Sequence, residues 1–314
     1  MTDEFSYDDP KPGNTRCLIG ITGFSHSGKT YSALELATGA QRVYGGDIAV
    51  IDSEEAAQMY RDDFKFKHVP LDEPHTGDRW MRALDFAYKR GARVFVLDSL
   101  SDEHIAMMER YEAALDRMAG DDWKKRERCS QAAFGKQDVK PLRAKMERQI
   151  WRMSKECCLI ALWRADQKYT PKQRHEKGPD HTPADDHTWK MATTSKLMYL
   201  CTLRWLLHPG SDGVPVSLEN MGNDAERQLV KVPKPFRKLQ TAKQLNRVLG
   251  EQIALECRSG SVREPVREYT ISKNGNSMTK ALTEDKVKGL RAQGYTVELS
   301  EAERAEDALE GAAE

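Results

Sequence analysis

The sequence predicts an α/β fold: a parallel sheet flanked by helices, with a small α+β unit appended at the C-terminus. Three observations predict it. Short, continuously apolar runs such as Ile48-Ala49-Val50-Ile51 and Val94-Phe95-Val96-Leu97 alternate with helical patterns. Runs apolar at every position suit strands buried on both faces, as parallel sheets with helical crossovers require. The first such run leads directly into a glycine-bracketed turn and a helix. At roughly 150 residues per domain, 314 residues allow about two domains, or one large domain with additions.

Taken in order, residues 1–15 are polar with Pro10, Pro12 and Gly13, and read as a flexible arm. Residues 16–23 read as a buried strand, and a helix follows from Lys29 to Val43, broken by Gly45-Gly46. Residues 48–52 form a second strand and 65–70 a shorter one. A helix spans 78–90, with Trp80, Leu84 and Ala87 in helical spacing, and 92–98 is a third strong strand. Helical patterns fill 101–118 and 137–156, and a further strand runs from Cys157 to Trp163. Residues 165–190 hold Pro171, Pro179 and Pro183 and almost no aliphatic residues, so they read as a long loop. Residues 195–232 read as short strands and 241–256 as a helix. Residues 267–299 read as strand, turn at 274–276, helix 283–293 and strand 295–299. The domain expectation is an arm at 1–15, a main domain at 16–256, a small α+β unit at 257–300 and an acidic tail at 301–314.

Composition excludes several classes. Hydrophobic residues are 39% of the chain, enough for a core, so wholesale disorder is excluded. No apolar run approaches the roughly 18 residues of a membrane span, and the acidic start Met1-Thr2-Asp3-Glu4 has no apolar leader. A cytoplasmic protein with no membrane partner is expected. The six cysteines form no CxxC pair and read as reduced, mostly buried thiols. His175, His181 and His187 have no cysteine partners and make a poor zinc set.

The chemistry is concentrated in Gly23-Phe24-Ser25-His26-Ser27-Gly28-Lys29-Thr30. It matches G-x-x-x-x-G-K-[ST] in full, between a strand and a helix. Glycines let the loop close around a phosphate, and its amides converge at a helix N-terminus, where the dipole favours anions. Lys29 is expected to reach the β- and γ-phosphates and the Thr30 hydroxyl to ligate Mg²⁺. Gly23, Ser25, His26, Ser27, Gly28, Lys29, Thr30 and Tyr31 are the expected contacts to ATP. Asp98 ends an apolar strand, where a carboxylate holds the Mg²⁺ shell; an ordinary turn aspartate is the bland alternative. Asp52 and Glu54 follow the second strand, where a carboxylate would polarise the attacking water. A helix N-terminal charge is the alternative for Glu54. All lie beyond the carboxyl ends of strands, where open α/β sheets bind ligands.

Residues 23–34, 48–54 (Ile-Ala-Val-Ile-Asp-Ser-Glu), 96–101 (Val-Leu-Asp-Ser-Leu-Ser) and 162–169 (Leu-Trp-Arg-Ala-Asp-Gln-Lys-Tyr) together resemble the bacteriophage AAA-type P-loop ATPases with a RecA-like core. Some members of that wider group act in single-strand annealing and recombination. The resemblance covers about 16–170, with a weaker echo to 256. It implies Glu54 as catalytic carboxylate and Asp98 as the Mg²⁺-linked acid. It also implies the 165–190 loop as the face toward DNA, with Arg164 and Lys168 acting instead on a neighbouring copy's nucleotide as the alternative. Phe24 and His26 stand where that family commonly has Pro and Gly.

Net charge is zero, with 49 basic and 49 acidic residues, so a polyanion partner must be argued locally. Residues 123–177 hold sixteen Lys/Arg against six acids, with Trp123, Trp151, Trp163 and Tyr169 interleaved. Such a surface suits single-stranded DNA; a solvated helix face with core tryptophans is the alternative. The motif together with the resemblance implies an ATP-binding and ATP-hydrolysing phage-type protein of DNA recombination, annealing or replication. It would work as a homo-oligomer in the host cytoplasm, with a single-strand-binding protein as a further partner. The rival readings are a small-molecule kinase with Arg164 and Arg174 in a lid, and a non-catalytic module assembled by ATP.

Overall fold

The computed structural model describes residues 15–167, 169–171, 181–183, 189–191, 195–217, 229–237, 244–258, 266–273, 276–301 and 304. Nearly all of the expected arm and tail therefore lies outside the described residues.

The core is one twisted sheet. Its strands are β1 (Cys17–Gly23), β2 (Asp47–Asp52), β3 (Lys67–Pro70), β4 (Ala92–Asp98), β5 (Cys158–Gln167) and β9 (Leu203–Leu207). They lie in the order β3-β2-β4-β5-β1-β9, and every neighbouring pair is parallel. The apolar runs explain this: every residue of β1 and β9 is buried, which only a sheet covered on both faces allows. The covering helices include α1 (Lys29–Tyr44), α2 (Gly77–Lys89), α3 (Leu100–Ala119) and α5 (Lys140–Met153). Trp80, Trp163 and Trp205 are among the largest side chains fully buried in this core. The protein thus has a RecA-like P-loop core, in which β5 separates the loop-bearing strand β1 from β4. Among the described residues no helix is long and apolar enough to cross a membrane.

Two helices meet backbone to backbone. On α1, a Cβ at Gly39 would come 1.8 Å from the Arg247 carbonyl oxygen. One at Gly250 would come 2.2 Å from that of Leu36. Only glycine lets α8 (Arg247–Cys257) lie this close to α1.

Several elements differ from expectation. The 120s form a separate helix, α4 (Trp123–Phe134), paired with α3; only Ala133 of it is buried, so it has no apolar stripe to read. The expected loop at 165–190 contains strand pairing. β6 (Tyr169–Pro171) and β7 (His181–Pro183) make an antiparallel pair, and β8 (Trp189–Met191) pairs with the end of β5. Within 195–232, expected as strands, residues Ser195–Leu200 form helix α6 and Lys234–Arg237 begins a short α7 just beyond.

The C-terminal unit holds an antiparallel sheet ordered β11-β10-β12, from β10 (Val266–Lys273), β11 (Asn276–Thr283) and β12 (Thr296–Leu299). With α9 (Glu284–Ala292) it has its own small core of Tyr269, Ile271, Leu282, Val287 and Val297. The hairpin partner β11 was not expected: residues 277–280 are all exposed, so they show no apolar alternation. All six cysteines are free; five are buried and Cys129 is half-buried.

Candidate active site

The phosphate-loop residues bridge β1 and α1 and are folded on themselves. The Ser27 amide and hydroxyl both donate to the Phe24 carbonyl, at 3.3 and 2.8 Å. His26 and Gly28 have φ of 61° and 82°, in the left-handed region. At position 28 glycine is required twice over, because a Cβ would also come 2.9 Å from the Gly213 amide. At Gly23 a Cβ would come 2.6 Å from the Leu207 carbonyl oxygen. The turn after β9 therefore packs directly on the loop. Ser25, His26 and Tyr31 are exposed, while Ser27 and Lys29 are buried. The Lys29 ammonium donates to the Phe24 carbonyl. Burial lowers its pKa, an effect opposed by the carboxylates of Asp98 and Glu54.

Strand register gathers the other groups along one edge. Gly23 is paired with Arg164 on β5 and with Leu207 on β9, and Asp52 with Asp98. The Thr30 hydroxyl donates to Asp98 Oδ2 at 2.7 Å. Burial lifts the Asp98 carboxyl to about 7; the Thr30 hydrogen bond opposes this, and nearby Glu54 and Asp52 reinforce it. The peptide between Asp98 and Ser99 is cis.

Asp52 and Glu54 separate into two roles. Asp52 is buried and accepts from the Glu54 amide at 2.9 Å and the Ala57 amide at 3.1 Å, with His68 Nε2 at 3.2 Å. It caps the short helical turn 56–60, the task weighed above for Glu54. Glu54 points instead to Arg164, whose Nε donates to Glu54 Oε1 at 2.8 Å. The same guanidinium donates to Asp102 Oδ1 at 2.5 Å, and the Arg164 amide to Ser101 Oγ at 2.8 Å. Ser53 closes the ring: its hydroxyl donates to Asp102 Oδ2 at 2.7 Å and accepts from the Ser99 amide at 3.0 Å.

The structure thus brings together Lys29, Thr30, Asp98, Glu54 and Arg164. Asp102, Ser53, Ser101 and the turn at 208–213 were missed. The available signal was the Ser-Asp-Glu run at 101–103, one helical turn past Asp98, which reads on its own as favourable charge at a helix start.

Among the described residues, the basic stretch is dispersed by the fold. Trp163 lies in the core, Trp151 is half-buried with the Arg16 guanidinium 4.1 Å from its ring, and Trp123 is exposed. The interleaved tryptophans therefore do not form one stacking face. Arg143 is buried in an ion-paired cluster with Glu103 and Glu147, and Arg126 binds Glu112 and Asp116. Lys168, Lys172, Arg174 and Lys177 lie outside the described residues, as do His175 and His187.

Comparison with protein-family models and with curated proteins finds no match. Among solved structures, a KaiC-like protein from the hyperthermophilic archaeon Pyrococcus horikoshii OT3 aligns with 54% of this chain and 82% of its own, at 14% identity and a TM-score of 0.27. The RecA-like P-loop core is accordingly assigned on strand order and on the loop between β1 and α1.

Proposed function

We propose that the protein is a Mg²⁺-dependent ATPase that acts on single-stranded DNA as an assembly of copies, in recombination, annealing or replication. The hydrogen bond from Thr30 to Asp98, joining residues 68 apart at 2.7 Å, is the observation that supports this most. Both oxygens are hard donors of the kind Mg²⁺ takes, and the bound ion would neutralise charge on the phosphates. The loop amides and Lys29 bind the β- and γ-phosphates. Glu54 accepts the proton of a water whose oxygen bonds to the γ-phosphorus, while the bond to the β–γ bridging oxygen breaks, giving ADP and phosphate. Arg164 Nε lies against Glu54 Oε1 at 2.8 Å, so this contact must open before that oxygen can take the proton of a water. The DNA partner is supported by the sequence's charge excess over residues 123–177, less Arg126, Arg143 and Arg164, which are ion-paired within the chain.

The test is ATP hydrolysis with and without single-stranded DNA. Lys29→Ala should lower turnover at least about 10²-fold, the scale of a lost charge-stabilising contact. Glu54→Gln should bind ATP and hydrolyse it poorly. Normal hydrolysis by a folded Lys29→Ala protein would remove the assignment. A phosphorylated metabolite in place of free phosphate would move it to a small-molecule kinase.

A further inference from the structure

We propose that the nucleobase of the bound nucleotide stacks on Tyr31, so that the site selects purines over pyrimidines by ring area and discriminates little between adenine and guanine. This rests on the phosphate-loop reading above. The first turn of α1 is already committed at every other position. Lys29 is buried and bonded to the Phe24 carbonyl, and Thr30 is bonded to Asp98. Ser32 is buried beside Gly213, where an added Cβ would come 2.6 Å from Ser32 Oγ. Tyr31 alone in that turn is open, at 45% exposed. A nucleotide whose phosphates lie in the loop places its sugar and base beyond this turn, and a flat aromatic ring is the surface left there.

The ring is held ready. Tyr60 and Phe64 meet it at 5.7 and 5.2 Å between centroids, inclined by 71° and 77°. Both are edge-type contacts, so neither neighbour lies flat on Tyr31. Phe64 is itself buried, with the Arg247 guanidinium 5.5 Å from its ring, and Arg247 is fixed by Glu35 at 3.2 Å. A braced ring loses little freedom when a base settles on it. The turn at 208–213 walls the other side of the loop and is itself pinned, Gln244 donating to the Asp212 carbonyl at 2.7 Å and the Leu245 amide to that of Gly213 at 3.2 Å. Stacking reads the face of a base, which all bases have, and not its hydrogen-bonding edge.

The experiment is calorimetric binding of Mg·ATP, Mg·GTP, Mg·CTP and Mg·tripolyphosphate to the full chain, its Tyr31→Ala and Tyr31→Trp variants, each checked for wild-type melting. The wild type should bind ATP and GTP within about tenfold of each other and more tightly than CTP. Tyr31→Ala should lose about 10- to 100-fold for ATP and GTP, leave tripolyphosphate unchanged and level the purine preference; Tyr31→Trp should restore it. Unchanged ATP affinity in Tyr31→Ala overturns the stacking role. An equal loss for ATP and tripolyphosphate also overturns it, since Tyr31 would then only shape the loop. If the wild type binds neither compound, the phosphate-loop reading itself fails and takes this inference with it.

Discussion

Asp98 lies 1% exposed at the end of β4, and burial lifts its carboxyl from 3.8 to about 7. The pH dependence follows. Below 3.8 the group is protonated whether the chain is folded or not. From there to about 7 the folded chain keeps a proton that the unfolded chain has released, so stability falls as pH rises through that window. The Mg²⁺ binding proposed above needs the carboxylate, so the affinity should rise across the same window. In metal-free buffer, Asp98→Asn should therefore match the wild type at about pH 3, below the window, and exceed it at about pH 8, by at most about 4 kcal/mol, near three pH units at 1.36 each. Urea unfolding at both pH values is the check, and a variant weaker at the higher pH would contradict the account. At this scale the site was half legible. The loop is eight contiguous residues and needs no fold to be read. Asp102, on α3, escaped because its partner Arg164 comes from 62 residues away, on β5. Asp52 and Glu54 could be exchanged in role because only the backbone path after β2 decides which one faces its own amides.

Between elements, the contact of α1 with α8 depends on two absent methyl groups. Gly39→Ala would set a Cβ against a backbone oxygen, which cannot rotate away, so the helices must separate. Overpacking of this kind costs about 1–3 kcal/mol, partly offset by the roughly 1 kcal/mol that alanine gains in a helix. The expected result is a melting temperature lower by several degrees. Gly289→Ala in α9, where nothing lies within 4 Å, should be neutral or slightly stabilising in the same thermal scan. Equal effects at the two positions would show that propensity and not packing governs them. Legibility follows the same physics. β1, β2, β4 and β5 announce themselves because both faces are buried. α4 buries a single alanine, and β11 exposes 277–280, so neither leaves a period in the sequence. The strand pairs within 165–191 are held by backbone bonds, which residue type signals only weakly.

At the scale of the whole molecule, a neutral chain offers no long-range pull on DNA, so the proposed binding would have to come from local cations. Single-strand affinity should then fall with salt by a log–log slope of about 0.7 per phosphate neutralised. Replacing Lys168, Lys172 and Arg174 together by glutamine should flatten that slope by about two units while Mg·ATP binding persists. Fluorescence anisotropy of a labelled oligonucleotide across a salt series measures it, and an affinity indifferent to salt would end the DNA reading.

The placement of β1 between β5 and β9 also sets a clock on the newborn chain. β1 leaves the ribosome among the first strands, yet both its neighbours in the sheet come from far downstream, β5 beginning at Cys158. At about 5–20 residues per second, the 135 residues from Gly23 to Cys158 take roughly 7–27 s to synthesise. Through that interval the most apolar strand of the protein has no partner, and the loop at its end has no floor. The nucleotide binding proposed for this loop would then be possible only after the strand is flanked, so capture would come late in maturation and report that the sheet has closed.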